Sequence, residues 1–112
     1  MRFTMTGPIA LLAATCAADS LHTSHHVHSG RHVHGDWRTN DGAVHSINAD
    51  DGCRRPGVPR MVDFCIDYRR QRLHFRFDGQ NRRCMRRSNY EFKKVNAGNY
   101  EFTDWEEATC EW

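Results

Sequence analysis

Between Met61 and Met85 the chain runs through two stretches of alternating apolar and polar residues and holds a cysteine near each end. Val62, Phe64, Ile66 and Tyr68 alternate with Met61, Asp63, Cys65 and Asp67. After the polar break Arg69-Arg70-Gln71, Leu73, Phe75 and Phe77 alternate with Arg72, His74, Arg76 and Asp78. A period of two sends successive side chains to opposite faces of an extended backbone, so each run is a strand with one apolar face. Asp78-Gly79-Gln80-Asn81 is turn chemistry, and Arg82 to Arg87 resumes an extended path around Cys84 and Met85.

The same reading extends outward. Asn89-Tyr90-Glu91-Phe92 recurs as Asn99-Tyr100-Glu101-Phe102, which marks a hairpin. A three-residue turn at Asn96-Ala97-Gly98 would set Phe92 opposite Phe102, Lys93 opposite Glu101 and Lys94 opposite Tyr100. Ala43 to Asn48 reads as a short strand, and Ala49 to Pro59 as a loop rich in Gly and Pro. Trp37 is too apolar to leave in solvent without cost and is expected to pack. The expected fold is therefore all-β: a small antiparallel, disulfide-stabilised sheet or sandwich of about 5–6 short strands. The alternative is α+β, with one helical turn at Asp104 to Ala108.

The first residues carry the parts of an export signal. Arg2 supplies a positive start, Ile9 to Ala14 an apolar run, and small residues a cleavage site after Ala17 or Ala18. The run is much shorter than the roughly 20 apolar residues that span a bilayer, and no later stretch approaches that length. Residues 1–18 are read as a signal peptide, with Cys16 excluded from the fold. Cys53, Cys65, Cys84 and Cys110 remain, and four cysteines in a short exported chain imply two disulfides with three pairings open. Each bridge contributes about 2 to 4 kcal/mol by restricting the unfolded chain. No C-x-x-C pair occurs, which argues against zinc held by thiolates.

Residues 19–35 hold six of the eight histidines: His22, His25, His26, His28, His32 and His34. With few large apolar side chains to offset its ordering entropy, this segment is expected to be a flexible, His-rich lead-in to a domain over 36–112. His-Val-His occurs twice, so His26, His28, His32 and His34 are candidate ligands for weak Zn²⁺ or Cu²⁺ binding; no other cofactor is implied.

Charge is segregated. Residues 54–94 hold thirteen Arg or Lys and four acids, a balance of +9, whereas the chain from Val95 onward holds five acids and no base. Arg69, Arg70, Arg72, Arg76, Arg82, Arg83, Arg86 and Arg87 form a candidate polyanion-binding face for RNA, anionic lipid or acidic glycan. Arg suits such contacts because its planar guanidinium pairs phosphate at two points. The same region offers His74 and Glu91 as catalytic candidates for a small exported ribonuclease, since that chemistry needs an imidazole, a carboxylate and a cation at the phosphate. No catalytic spacing in the chain is specific enough to define an enzyme.

With Asp63 to Tyr68 (DFCIDY), Leu73 to Met85 (LHFRFDGQNRRCM) and a closing Thr109 to Trp112 (TCEW), the chain resembles the small cysteine-rich secreted proteins of filamentous fungi. The resemblance implies an extracellular, effector-like role, with a host or other extracellular protein as partner. It carries no functional residue over. A cationic antimicrobial or toxin protein is the main alternative, ahead of the ribonuclease.

Overall fold

The computed structural model describes residues 18–27, 32–96 and 98–112. They form one antiparallel sheet of eight strands: β1 (Ser20–His26), β2 (Val33–Arg38), β3 (Val44–Asn48), β4 (Gly52–Arg54), β5 (Met61–Asp67), β6 (Arg72–Phe77), β7 (Arg83–Val95) and β8 (Gly98–Ala108). Across the sheet the order is β3-β2-β1-β8-β7-β6-β5-β4. Each strand neighbours its sequence neighbour except at β3 and β4, the two edges, and the first strand pairs with the last. The all-β, antiparallel expectation holds. The strand count exceeds the expected 5–6, and no helix occurs among the described residues: Asp104 to Ala108 is the end of β8.

The sheet is rolled into a barrel. Strands β2 and β6 lie four places apart, roughly 19 Å in a flat sheet. Yet Trp37 of β2 packs its ring edge-on against Phe75 of β6 with centroids 4.6 Å apart, and against Phe64 of β5 at 6.0 Å. The inner face thus meets itself, enclosing Leu21, Trp37, Ile47, Phe64, Ile66, Leu73, Phe75, Met85 and Trp105. Trp37 is fully buried, as its character predicts. Where the edges approach, Ala49 beyond β3 donates its amide to Val33 O at 2.9 Å and accepts the Tyr68 hydroxyl at 2.5 Å, which ties the end of β5 across the seam.

Four local expectations are corrected. The supposed flexible lead-in supplies β1, which sits between β2 and β8, and the start of β2. Its alternation is genuine but polar: Leu21 and Thr23 are buried while His22 points out. Only Leu21 is large and apolar, which hid the period. Residues 49–59 contain β4, brought into the sheet where Cys53 pairs with Cys65. The stretches around Cys84 and around Tyr90 are one continuous strand, β7.

The fourth correction is the β7–β8 register. Val95 pairs with Gly98, so the turn holds two residues, Phe92 faces Glu101, Lys93 faces Tyr100, and Phe102 faces Glu91. A one-residue slip exchanges the faces of a strand. Trp105 and Thr103 are buried, which fixes the inward face of β8, and a bulge between Arg87 and Asn89 brings β7 into step with it. A second bulge, between Met61 and Asp63, turns Met61 into the core, against simple alternation.

Both disulfides are formed, with the pairing the sequence left open. Cys53–Cys65 joins directly opposed residues of β4 and β5, and Cys84–Cys110 ties the segment after β8 back onto β7. The signal-peptide reading concerns residues 1–17 almost entirely, and these lie outside the described residues, as does Cys16. No helix among the described residues is long and apolar enough to cross a membrane.

Candidate functional site

The two ends of the barrel differ. One is closed by the network that Asp19, Trp37, Arg83 and Glu107 make. The other opens into a cavity of about 480 Å3, bounded by Thr23 and His25 of β1, Val33 of β2, Tyr68 and Gln71 of the β5–β6 turn, Arg87 and Tyr90 of β7, and Glu101, Thr103 and Trp105 of β8. Beneath the cavity, Tyr68 meets Trp105 edge-on at 5.7 Å, and the Trp105 indole donates to Thr23 Oγ1 at 3.2 Å. That hydrogen bond lets a hydroxyl sit in the barrel at 2% exposure without a desolvation penalty left open.

Polar groups gather at the rim. The Tyr90 hydroxyl donates to Glu101 Oε2 at 2.5 Å, and His25 Nδ1 lies 3.1 Å from Glu101 Oε1. These contacts, the Tyr90 hydroxyl foremost, hold the Glu101 carboxyl below its ordinary range, while the same bond raises the Tyr90 phenol. Burial pushes the Tyr68 phenol well above its ordinary value. The Arg87 guanidinium lies 5.1 Å over the Tyr90 ring. The β6–β7 ladder ends at Arg72–Arg86, whereas β7 continues with β8 to Val95, so the hairpin projects past the wall at this end. It carries Tyr90 and Phe92 at 43% and 51% exposure, the latter directly opposite Glu101.

The residues singled out in the sequence fall elsewhere. His74 on β6 is only 7% exposed and lies under Trp112, rings edge-to-face at 4.4 Å. Burial, then the nearby Arg82, holds its imidazole below the ordinary histidine range. Glu91 is seven residues along β7 from Cys84, the partner of His74, hence roughly 23 Å away by strand rise. The fold does not bring His74 and Glu91 together.

The Arg-rich face is largely engaged with the chain itself. Arg70 and Arg72 both approach Asp67, and Arg72 also stacks over Trp112 at 4.4 Å. Arg76 pairs with Asp63, Arg82 donates to the Trp112 carbonyl, and Arg86 pairs with Glu111. Arg83 leaves this face for the closed end, where it meets Glu107. Arg69 stands exposed in the β5–β6 turn and Arg87 turns to the mouth. The acidic end of the chain thus pairs with two of these arginines, and Asp63 and Asp67 of the centre itself engage three more.

Three of the histidine candidates, His26, His32 and His34, line one surface depression, each with a partner of its own. His26 stacks on Tyr100 at 4.5 Å, His32 lies 3.3 Å from Asp50, and His34 lies 3.0 Å from Asp36; His28 falls outside the described residues. Among the described residues no group of three or more His, Cys, Asp or Glu is placed to hold a metal ion. The mouth itself went unnoticed in the sequence. Its signal is the inward alternation Leu21-Thr23-His25 and Glu101-Thr103-Trp105, in which polar residues occupy positions that look like surface.

No protein-family model matches the chain, and no curated protein or solved structure matches it.

Proposed function

We propose that the chain is an exported binding protein, effector-like in the sense of the family it resembles, that takes a small amphipathic ligand in the open mouth of the barrel. The observation that carries this reading is the mouth cavity, which is lined mostly by apolar surface with a few polar groups at its rim, as ligand sites commonly are. Its floor of Trp105, Tyr68 and Val33 suits an apolar body, and Glu101, His25 and Arg87 at the rim suit a polar head. Export is supported by the leader-like opening and by two disulfides, which persist in oxidising compartments. The proposal places binding at the mouth instead of the Arg-rich face, because most of those arginines already have carboxylate, carbonyl or ring partners. It assigns no reaction to the site.

The test uses anilinonaphthalene sulfonate as a fluorescent probe. Binding at the mouth should survive high salt and weaken by roughly tenfold in Val33→Trp, which fills the cavity. The paired variant Arg82→Glu, Arg86→Glu should leave it unchanged. Binding that collapses with salt and in the paired variant, but not in Val33→Trp, would return the site to the Arg-rich face.

A further inference from the structure

The closed end of the barrel holds an unbalanced charge. Asp19, just before β1, is 4% exposed. Its carboxylate accepts from the Trp37 indole at 3.0 Å and from the Asn40 amide at 3.1 Å, and lies 3.5 Å from Arg83. Its own backbone nitrogen donates to Glu107 Oε2 at 2.6 Å. Glu107 is held in turn by Arg83 through two hydrogen bonds, of 3.0 and 2.6 Å. Asp41, His45 and Arg60 line the same depression, but Asp41 accepts from Thr39 and the Ala43 amide. Among the described residues, Arg83 is the cation within ion-pair distance of Asp19 and Glu107. Two carboxylates thus share one guanidinium at a largely buried place, where uncompensated charge is costly.

The nitrogen that meets Glu107 belongs to the residue after Ala18, one of the two cleavage positions read from the leader. Ala18 is exposed, so the chain can end there without disturbing the barrel. We infer that export cleaves the chain between Ala18 and Asp19, and that the released α-ammonium seats on Glu107 as the second cation of this site. In the cleavage, water adds across the Ala18–Asp19 peptide bond under the peptidase that removes leaders. The carboxylate departs with residues 1–18, and the amine, protonated at neutral pH, remains on Asp19. A neutral amide donor becomes a charged one on a carboxylate, which adds an ion pair to the hydrogen bond already made there. Two carboxylates then face two cations. This inference rests on the export proposed above, not on the mouth.

The full chain, expressed in a secreting eukaryotic cell, should yield an intact mass that starts at Asp19. A second chain with Gly-Ser inserted after Ala18 carries the nitrogen of Asp19 as an amide, and should melt lower by roughly 5 °C. In the Glu107→Gln background the same insertion should shift the melting point little. A secreted mass beginning at Ala18 or elsewhere, or an insertion that leaves the melting point unchanged, would overturn the inference alone. An uncleaved chain kept inside the cell would overturn the export reading with it.

Discussion

Tyr90 and Glu101 define the rim of the cavity through one short hydrogen bond, and removing its donor should be felt as a titration change. In Tyr90→Phe the Glu101 carboxyl should move up toward its ordinary value, measured by carbon NMR of the side chain. The sign for stability follows from the lowered folded value. Glu101 supports the fold above the unfolded value of about 4.3, and the support is lost as pH falls through the folded value. His74 works in the opposite sense. Its folded imidazole resists protonation under Trp112, so below about pH 6.5 the unfolded chain binds the proton that the folded chain refuses. Stability should therefore fall between neutral pH and pH 5, and His74→Gln should flatten that part of the urea-midpoint profile. Trp37 and the four bridging cysteines were the residues most legible in the sequence, since packing and bridging, though not the pairing, follow from side-chain chemistry alone. The roles of His74, Arg82 and Arg86 were not, because Trp112 and Glu111, which engage them, come from a segment 25 or more residues away.

Among the elements, β5 and β6 were readable because their apolar faces are dense and their period is broken only by the bulge after Met61. β1 was not, since its inner face is one leucine, one threonine and one histidine. Its placement is decided by partners on both sides, which local propensity does not encode. Deleting residues 21–35, harmless for a tail, should abolish the cooperative unfolding transition in circular dichroism. A smaller test lies at Gly35 of β2. A methyl group there would stand 3.0 to 3.1 Å from Ile47, Ala49 and Leu21, so Gly35→Ala should cost about 1 to 3 kcal/mol by overpacking, measured in urea. The β7–β8 register escaped the sequence for a different reason. The Ser88 bulge adds one residue that no alternation rule anticipates, and its hydroxyl donates to the Asp104 carbonyl opposite.

For the whole molecule, the class was legible and the closure was not. Alternation shows which faces are apolar, but rolling depends on Trp37 reaching Phe75 from a strand far away in the sheet. The two bridges close loops of 12 and 26 residue separation, worth about 3 and 3.5 kcal/mol in the chain-entropy account. Reducing both should therefore remove much of the stability, visible as a large fall in urea midpoint after reduction and alkylation. The pairing of the first strand with the last has its own consequence for synthesis. Trp105 and Thr23, in contact across that ladder, are 82 residues apart in sequence. The hairpins of β1 to β3 and of β4 to β8 depend on near neighbours and can assemble as they emerge, whereas the edge of β1 that faces β8 stays unpaired until β8 has been made. The strand translated first is thus among the last to complete its pairing, and the barrel cannot close before β8 has left the ribosome.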